Sequence, residues 1–294
     1  MASIEKSGIS PSQGNSCDAL NPSNPVAAVN LSQRAVSHSY STRYFASEQL
    51  MFACLRIGDD KSAHDSFDQL ATRFGKSNER IMGLQGLHQE ATAHDKAALE
   101  AILRDYEKIL SENPVNIPIF KRRIAILRSL SRATDAISAL VEFLEAFPTN
   151  SEAWCELADL YLRQRMDSQA IFCLEEALLT APNSWNLHAL LGEVLYVSAT
   201  SSEHQESSLV LLIRAMRHFC RSIELCVDYT RGFYGLKLVT SLLLQEPYVK
   251  EFSSTQANEN NDVPAEEVVR KLHSLAATKL TGLNRIFQKS NEEQ

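Results

Sequence analysis

The 294-residue chain is predicted to be all-α, a right-handed superhelical solenoid of antiparallel helix pairs, and three observations carry that prediction. The first is composition: glycine is sparse (10 residues), Leu, Ala, Ser and Glu abound, and long stretches lack the β-branched alternation of a strand. The second is a fixed period. The stretch "AWCELADLYLRQRMDSQAIFCLEEALLTAPNS", residues 153–184, matches the preceding sequence at a shift of 34 residues, with Trp154 on Phe120, Ala170 on Ala136, Leu174 on Leu140, and Pro182 on Pro148 and then Pro114. The third is the spacing within the period, where small and bulky apolar residues share two helical stripes that end at a proline.

Residues 151–184 place Trp154, Leu157, Ala158 and Tyr161 on one face of a first helix, and Ala170, Leu174 and Ala177 on the facing stripe of a second. The small Ala158 and Ala170 let the two backbones approach, so Trp154, Tyr161 and Leu174 are expected to fill the flanking space. Pro182 then stops the second helix, because proline lacks an N–H and disfavours helix in the residue before it. This pattern resembles the tetratricopeptide consensus W-x2-L-G-x2-Y, A-x3-F, P. Residues 117–150 repeat it with Phe120, Ile124, Leu127, Ala136, Leu140, Phe143 and Pro148, but carry Arg123 where an apolar residue is usual.

Further units follow on either side. Residues 44–77 hold a degenerate repeat with Leu50, Cys54, Ala63, Phe67, Leu70 and Gly75. Residues 79–116 put Met82 and Gly86 on a first helix and Ile102, Tyr106, Ile109 and Pro114 on a second. About four extra residues around "TAHDKA" predict a longer inter-helix loop there. Residues 185–229 supply Leu191, Gly192, Leu195, Ala215, Phe219 and Ser222, and their polar tract "SATSSEHQESS" reads as a solvated loop or a helix extension. Residues 230–250 begin another first helix with Phe233 and Leu236. The flanks divide into a polar, flexible N-terminal tail (1–43), a flexible linker (251–263), and a C-terminal capping helix and tail (264–294) with Pro264 at a favoured first helical position.

Charge and motif content narrow the function. With 36 acidic and 29 basic residues the net charge is −7, which gives no global drive toward phosphate backbones, and no nucleic-acid partner is expected. The longest apolar runs, "SLVLLI" and "LKLVTSLLL", fall far short of the ~20 residues that cross a bilayer. The N-terminus lacks an apolar secretion signal, and the six cysteines (Cys17, Cys54, Cys155, Cys173, Cys220, Cys226) form no CxxC pair, so reduced thiols in a cytosolic setting are expected. Phosphate-loop, GxSxG and HExxH signatures are missing, so neither catalytic residues nor a cofactor is expected. The nearest metal-like group is His88, Glu90, His94 and Asp95, but histidines six residues apart point to different sides of a helix, and an exposed polar turn is the expected reading.

The remaining candidates are surfaces. The basic run Lys121, Arg122, Arg123, Arg128 and Arg132 is either a solvated helix face or a docking site for acidic segments or lipid headgroups; it lacks the interleaved aromatics of an RNA site. Positions 2, 5, 9 and 12 of successive first helices should line a groove for partners: Lys121, Glu152, Cys155, Asp159, Leu162, Asn186, Ala189, Glu193, Arg231 and Tyr234. A carboxylate clamp of Lys and Asn at positions 5 and 9 is not expected there, because Glu156 and Asp159 would repel an acidic tail.

The segments "ENPVN", "KRRIAILRS", "AISALVEFLEAFPTNSEAWCELADLYL" and "AIFCLEEALLTAPNS" resemble the tetratricopeptide subunit 2 family of the endoplasmic reticulum membrane protein complex. The likeness runs over about residues 44–240 and is most specific in 118–182. It implies a non-catalytic scaffold in a hetero-oligomer, peripheral on the cytosolic face of the endoplasmic reticulum membrane. Such a subunit would hold cytosolic segments of membrane subunits and a cytosolic partner subunit, and support insertion of tail-anchored and multi-pass membrane proteins. The residues alone also leave open a generic tetratricopeptide adaptor or co-chaperone of another assembly.

Overall fold

Side-chain caps recur at the helix starts. Asn116 and Asn150, one repeat period apart, accept hydrogen bonds from the backbone N–H groups of Ile119 (3.2 Å) and Ala153 (3.0 Å), and Asp59 and Asp95 do the same for Ser62 and Ala98. Each satisfies a donor that the first helical turn leaves open. The structure, a computed structural model, describes residues 40–201, 208–245 and 264–292, and among these lie twelve α-helices and no strand. The helices are α1 (Tyr40–Ile57), α2 (Asp60–Phe74), α3 (Glu79–Thr92), α4 (Lys96–Glu112), α5 (Ile117–Ser129) and α6 (Ala133–Ala146). They continue with α7 (Ser151–Arg163), α8 (Asp167–Thr180), α9 (Trp185–Thr200), α10 (Ser208–Leu225), α11 (Thr230–Leu243) and α12 (Glu266–Glu292).

Three boundaries differ from expectation. α1 begins at Tyr40, inside the stretch read as tail. The four extra residues near "TAHDKA" do not lengthen a loop: α3 and α4 are joined by residues 93–95 alone, and the insertion is absorbed into α4, which runs 17 residues against 14 in α6 and α8. Pro264 lies before the helix that starts at Glu266 and is not its first residue. The expected tail up to residue 39, most of the polar tract after Ser201 and the expected linker lie outside the described residues.

The chain divides into two compact units, Met1–Arg132 and Ala133–Gln294. In the first, α1 and α2 close on a core of Met51, Cys54, Ala63, Phe67, Leu70 and Ala71, joined from α3 by Ile81 and Leu84. Ile119, Phe120, Ile124, Ile126 and Leu127 of α5 are buried, and α5 packs against both α3 and α4.

In the second unit α7 and α8 meet through Leu157, Ala158, Ala170, Leu174 and Ala177, all buried. α6 packs on the other side of α7 and contributes Ala136, Leu140 and Phe143 to the interior. That second cover explains why Ala153 and Leu160 are buried although the repeat pattern does not mark them. α9 and α10 share the most extensive helix interface, centred on Phe219 and Ala215. The Phe219 ring lies so close to α11 that a Cβ at Gly235 would come within 2.2 Å of it, which makes glycine a packing requirement there. α12 covers α11 with Val269 and Ala276, and the Thr240 hydroxyl meets His273 Nδ1 at 3.1 Å.

Four residues expected in the repeat core are placed differently. Pro148 and Pro182 are exposed; they lie two residues beyond the ends of α6 and α8 and act as stops, not as packing. Trp154 and Tyr161 are half-buried. The indole needs an acceptor, so Trp154 stays at the edge of the pair, where Nε1–H donates to the Pro148 carbonyl at 2.9 Å and the ring meets Phe172 edge-on with centroids 6.1 Å apart.

Candidate protein-interaction surface

The expected groove residues divide between the two units. Lys121 is exposed on α5 in the first, and the others lie on α7, α9 and α11 in the second. On α7, Glu152 is exposed, Cys155 and Leu162 are half-buried, and the Asp159 carboxylate accepts from Arg163 Nε at 3.1 Å. On α9, Asn186 is exposed, but Ala189 is only 1% exposed and cannot touch a partner. α8, α10 and α11 all pack on α9, so a position that faces outward on a less covered helix faces inward here.

Glu193 and Arg231 are brought together. Arg231 Nε and Nη2 donate to the two carboxylate oxygens of Glu193, a fork that ties α9 to α11. Hydrogen bonding to Glu193 raises the Arg231 pKa above its ordinary value. Tyr234, one turn further along α11, is 58% exposed. The surface therefore combines an exposed aromatic, apolar Leu162, and carboxylates at Asp159 and Glu193 that arginines of the same unit offset. It is less acidic than the sequence suggests.

The first unit contains a polar network that the sequence reading missed. Glu90 of α3 accepts from Tyr106 Oη of α4 at 2.7 Å and from Arg122 Nε of α5 at 2.8 Å, with Arg122 Nη2 on its other oxygen. The Glu90 side chain is 11% exposed and that of Arg122 is 26% exposed. A Cβ at Gly86 would sit 2.1 Å from Tyr106 Oη, so glycine alone leaves the phenol room to reach past α3. Burial, followed by the nearby Asp105 carboxylate, pushes the Tyr106 phenol well above its usual range and keeps it a donor.

This network corrects two expectations. His88, Glu90, His94 and Asp95 are not one exposed turn: Glu90 turns inward, Asp95 caps α4, and the His88 ring lies 5.5 Å from that of His64 and 6.4 Å from that of Phe67. Among the described residues no group of three or more His, Cys, Asp or Glu side chains could hold a metal ion. Nor is the basic run a uniform patch, since Arg122 is committed to Glu90 and the Arg123 guanidinium lies 5.6 Å from the centre of the Phe120 ring. A signal for the network was present in the sequence, in a first helix too basic for its repeat and a Tyr at the position Leu174 holds.

Three titratable groups of the second unit, Cys173, Cys220 and His218, are shifted toward their neutral forms. Burial pushes the Cys173 thiol up to about 12 and the Cys220 thiol up to about 11, opposite to the shift that activates a nucleophile. Burial, then His188 and Arg214, push His218 down to about 4. His188 Nε2–H donates to the Pro182 carbonyl at 3.0 Å, and the Nδ1 atoms of His188 and His218 lie 3.1 Å apart, within hydrogen-bond distance.

Comparison with known proteins gives the context of this surface. A family model described as the EMC2 TPR-like repeat domain matches residues 77–209. The TPR repeat protein oca3 of Schizosaccharomyces pombe is 34% identical over 235 residues, which cover 79% of this chain and 79% of that protein. ER membrane protein complex subunit 2-A of Xenopus laevis is 32% identical over 200 residues, 68% of this chain and 63% of the Xenopus protein. Among solved structures, the C-terminal part of a TPR repeat-containing protein from Cytophaga hutchinsonii is similar with a TM-score of 0.52 and 11% identity, covering 89% of this chain and 91% of that one. That likeness concerns the fold alone.

Proposed function

The chain belongs to the ER membrane protein complex subunit 2 family, and from that premise we propose that it is a non-catalytic scaffold subunit of such a complex on the cytosolic face of the endoplasmic reticulum membrane. In this reading it holds cytosolic segments of membrane subunits and supports insertion of tail-anchored and multi-pass membrane proteins. Family membership is the observation that carries the proposal. Two features support it: no helix among the described residues is long and apolar enough to cross a membrane, and α7, α9 and α11 present a mixed aromatic and charged surface. The contact residues we propose are Glu152, Cys155, Asp159, Leu162, Asn186, Glu193, Arg231 and Tyr234, all of the second unit, and Lys121 on α5 of the first unit is a separate proposed contact.

Co-purification from detergent-solubilised membranes tests this assignment. Asp159→Lys combined with Tyr234→Asp should reduce recovery of membrane subunits at least tenfold, while Lys121→Glu gives a smaller loss. Far-UV circular dichroism of the same variants should match the wild type, because both second-unit positions are at least partly exposed. Undiminished recovery with the double variant would remove this surface from the account.

A further inference from the structure

The first unit has an apolar hollow of about 340 Å³ where the start of α1, the end of α2 and the start of α3 converge. Tyr44, Phe45, Leu70, Phe74, Ile81 and Leu84 line it, and the Glu48–Arg80 ion pair (2.6 Å) closes one side. Two of the lining aromatics are unusually open to water, Phe45 at 58% and Phe74 at 47%. Large aromatic side chains facing one hollow at that exposure mark a place built for an apolar occupant.

We propose that this hollow seats the chain's own residues 25–31, "PVAAVNL", through Val26, Val29 and Leu31. That stretch is the densest apolar run among the 39 residues that precede Tyr40, all of which lie outside the described residues. The tether selects this occupant. α1 starts at Tyr40, one turn before Tyr44 at the wall of the hollow, so the polypeptide arrives beside the site. Leu31 precedes Tyr40 by nine residues, which can span up to ~30 Å, ample to turn back. A linker of that length holds the segment at an effective concentration on the order of 1 mM, so a site with a Kd of ~0.1 mM is about 90% filled. A separate partner at micromolar concentration would have to bind far more tightly to displace it.

Hydrogen exchange of the full chain, read by mass spectrometry, decides the matter. The amides of residues 25–31 should exchange at least fivefold more slowly than in a synthetic peptide of the same sequence. The protection should disappear in Phe74→Glu, which alters the hollow at an exposed helix end. It should disappear equally in Val26→Asp/Val29→Asp, which leaves the helical units untouched, and the amides of α1 and α2 should keep their protection in both variants. Exchange at the peptide rate in the wild type would overturn the proposal. So would protection that survives both variants, or protection that grows with protein concentration and so reports a second copy.

Discussion

The helix pairs α3–α4 and α7–α8 are built on the same repeat and held by opposite chemistry. In α7–α8, Ala158 and Ala170 bring the backbones together and Leu174 fills the remaining space, so the buried centre of the contact is apolar. In α3–α4, Ile102 stands at the position of Ala170 and Tyr106 at that of Leu174, and the phenol reaches across Gly86 to a carboxylate that Arg122 of α5 neutralises. Apolar packing tolerates small displacements, whereas a three-member hydrogen-bonded network fixes distance and direction at once. A degenerate repeat can therefore keep its register after losing the small residues of the consensus, at the cost of depending on every member of the network.

Substitutions should expose that difference, measured as shifts in the free energy of denaturant unfolding. Leu174→Ala should have the largest effect, about 4 kcal/mol, since the side chain is fully buried among alanines that cannot expand into the cavity. Arg122→Met should cost about 3 kcal/mol by leaving the Glu90 carboxylate buried without its counter-charge. The comparison sharpens with a second change: Glu90→Leu in the Arg122→Met background should recover most of that loss, because an apolar pair of similar volume needs no neutralisation. If the double variant is as unstable as the single one, the loss does not come from an unpaired Glu90 carboxylate. Trp154→Ala should cost only about 2 kcal/mol, below the ~3–5 kcal/mol of a fully buried aromatic, given its half-buried position. Tyr106→Phe, which removes one hydrogen bond to Glu90, should cost about 1 kcal/mol.

Acid provides a further contrast within the second unit. His218 is held neutral, with its pKa lowered to about 4 in the fold against about 6.5 in an unfolded chain. The unfolded state therefore binds more protons between those values. The stabilisation is fully present above pH 6.5, declines as pH falls toward 4, and changes no further below that. The groups that face His218 are His188 of α9 and Arg214 of α10, the latter also paired with Glu175 of α8. In His218→Phe the decline in unfolding free energy between pH 6.5 and 4 should flatten by a few kcal/mol at most, and an unchanged slope would place the titration elsewhere.

The fold class was legible because a 34-residue period and its prolines repeat a local rule, and the same rule marks Leu157, Ala158, Ala170, Leu174, Ala215 and Phe219 as interior. Less legible was the degree of burial, which depends on how many helices cover a face. Trp154 lies nearer water than its consensus position suggests, and Ala189 nearer the core. The partners in the ion pairs were not legible, even where an unusually basic helix hinted at a network. Glu90 and Arg122 are 32 residues apart and Glu193 and Arg231 are 38 apart, and no short motif joins helices of successive repeats. The N-caps Asn116 and Asn150 follow the period and could have been read from it.

Native size of the protein in detergent-solubilised endoplasmic reticulum membranes tests the central claim most directly. A scaffold subunit of a membrane protein complex should migrate entirely in a large assembly together with membrane-spanning subunits. Recovery as a free chain of 32.8 kDa, absent from the membrane fraction, would contradict the account.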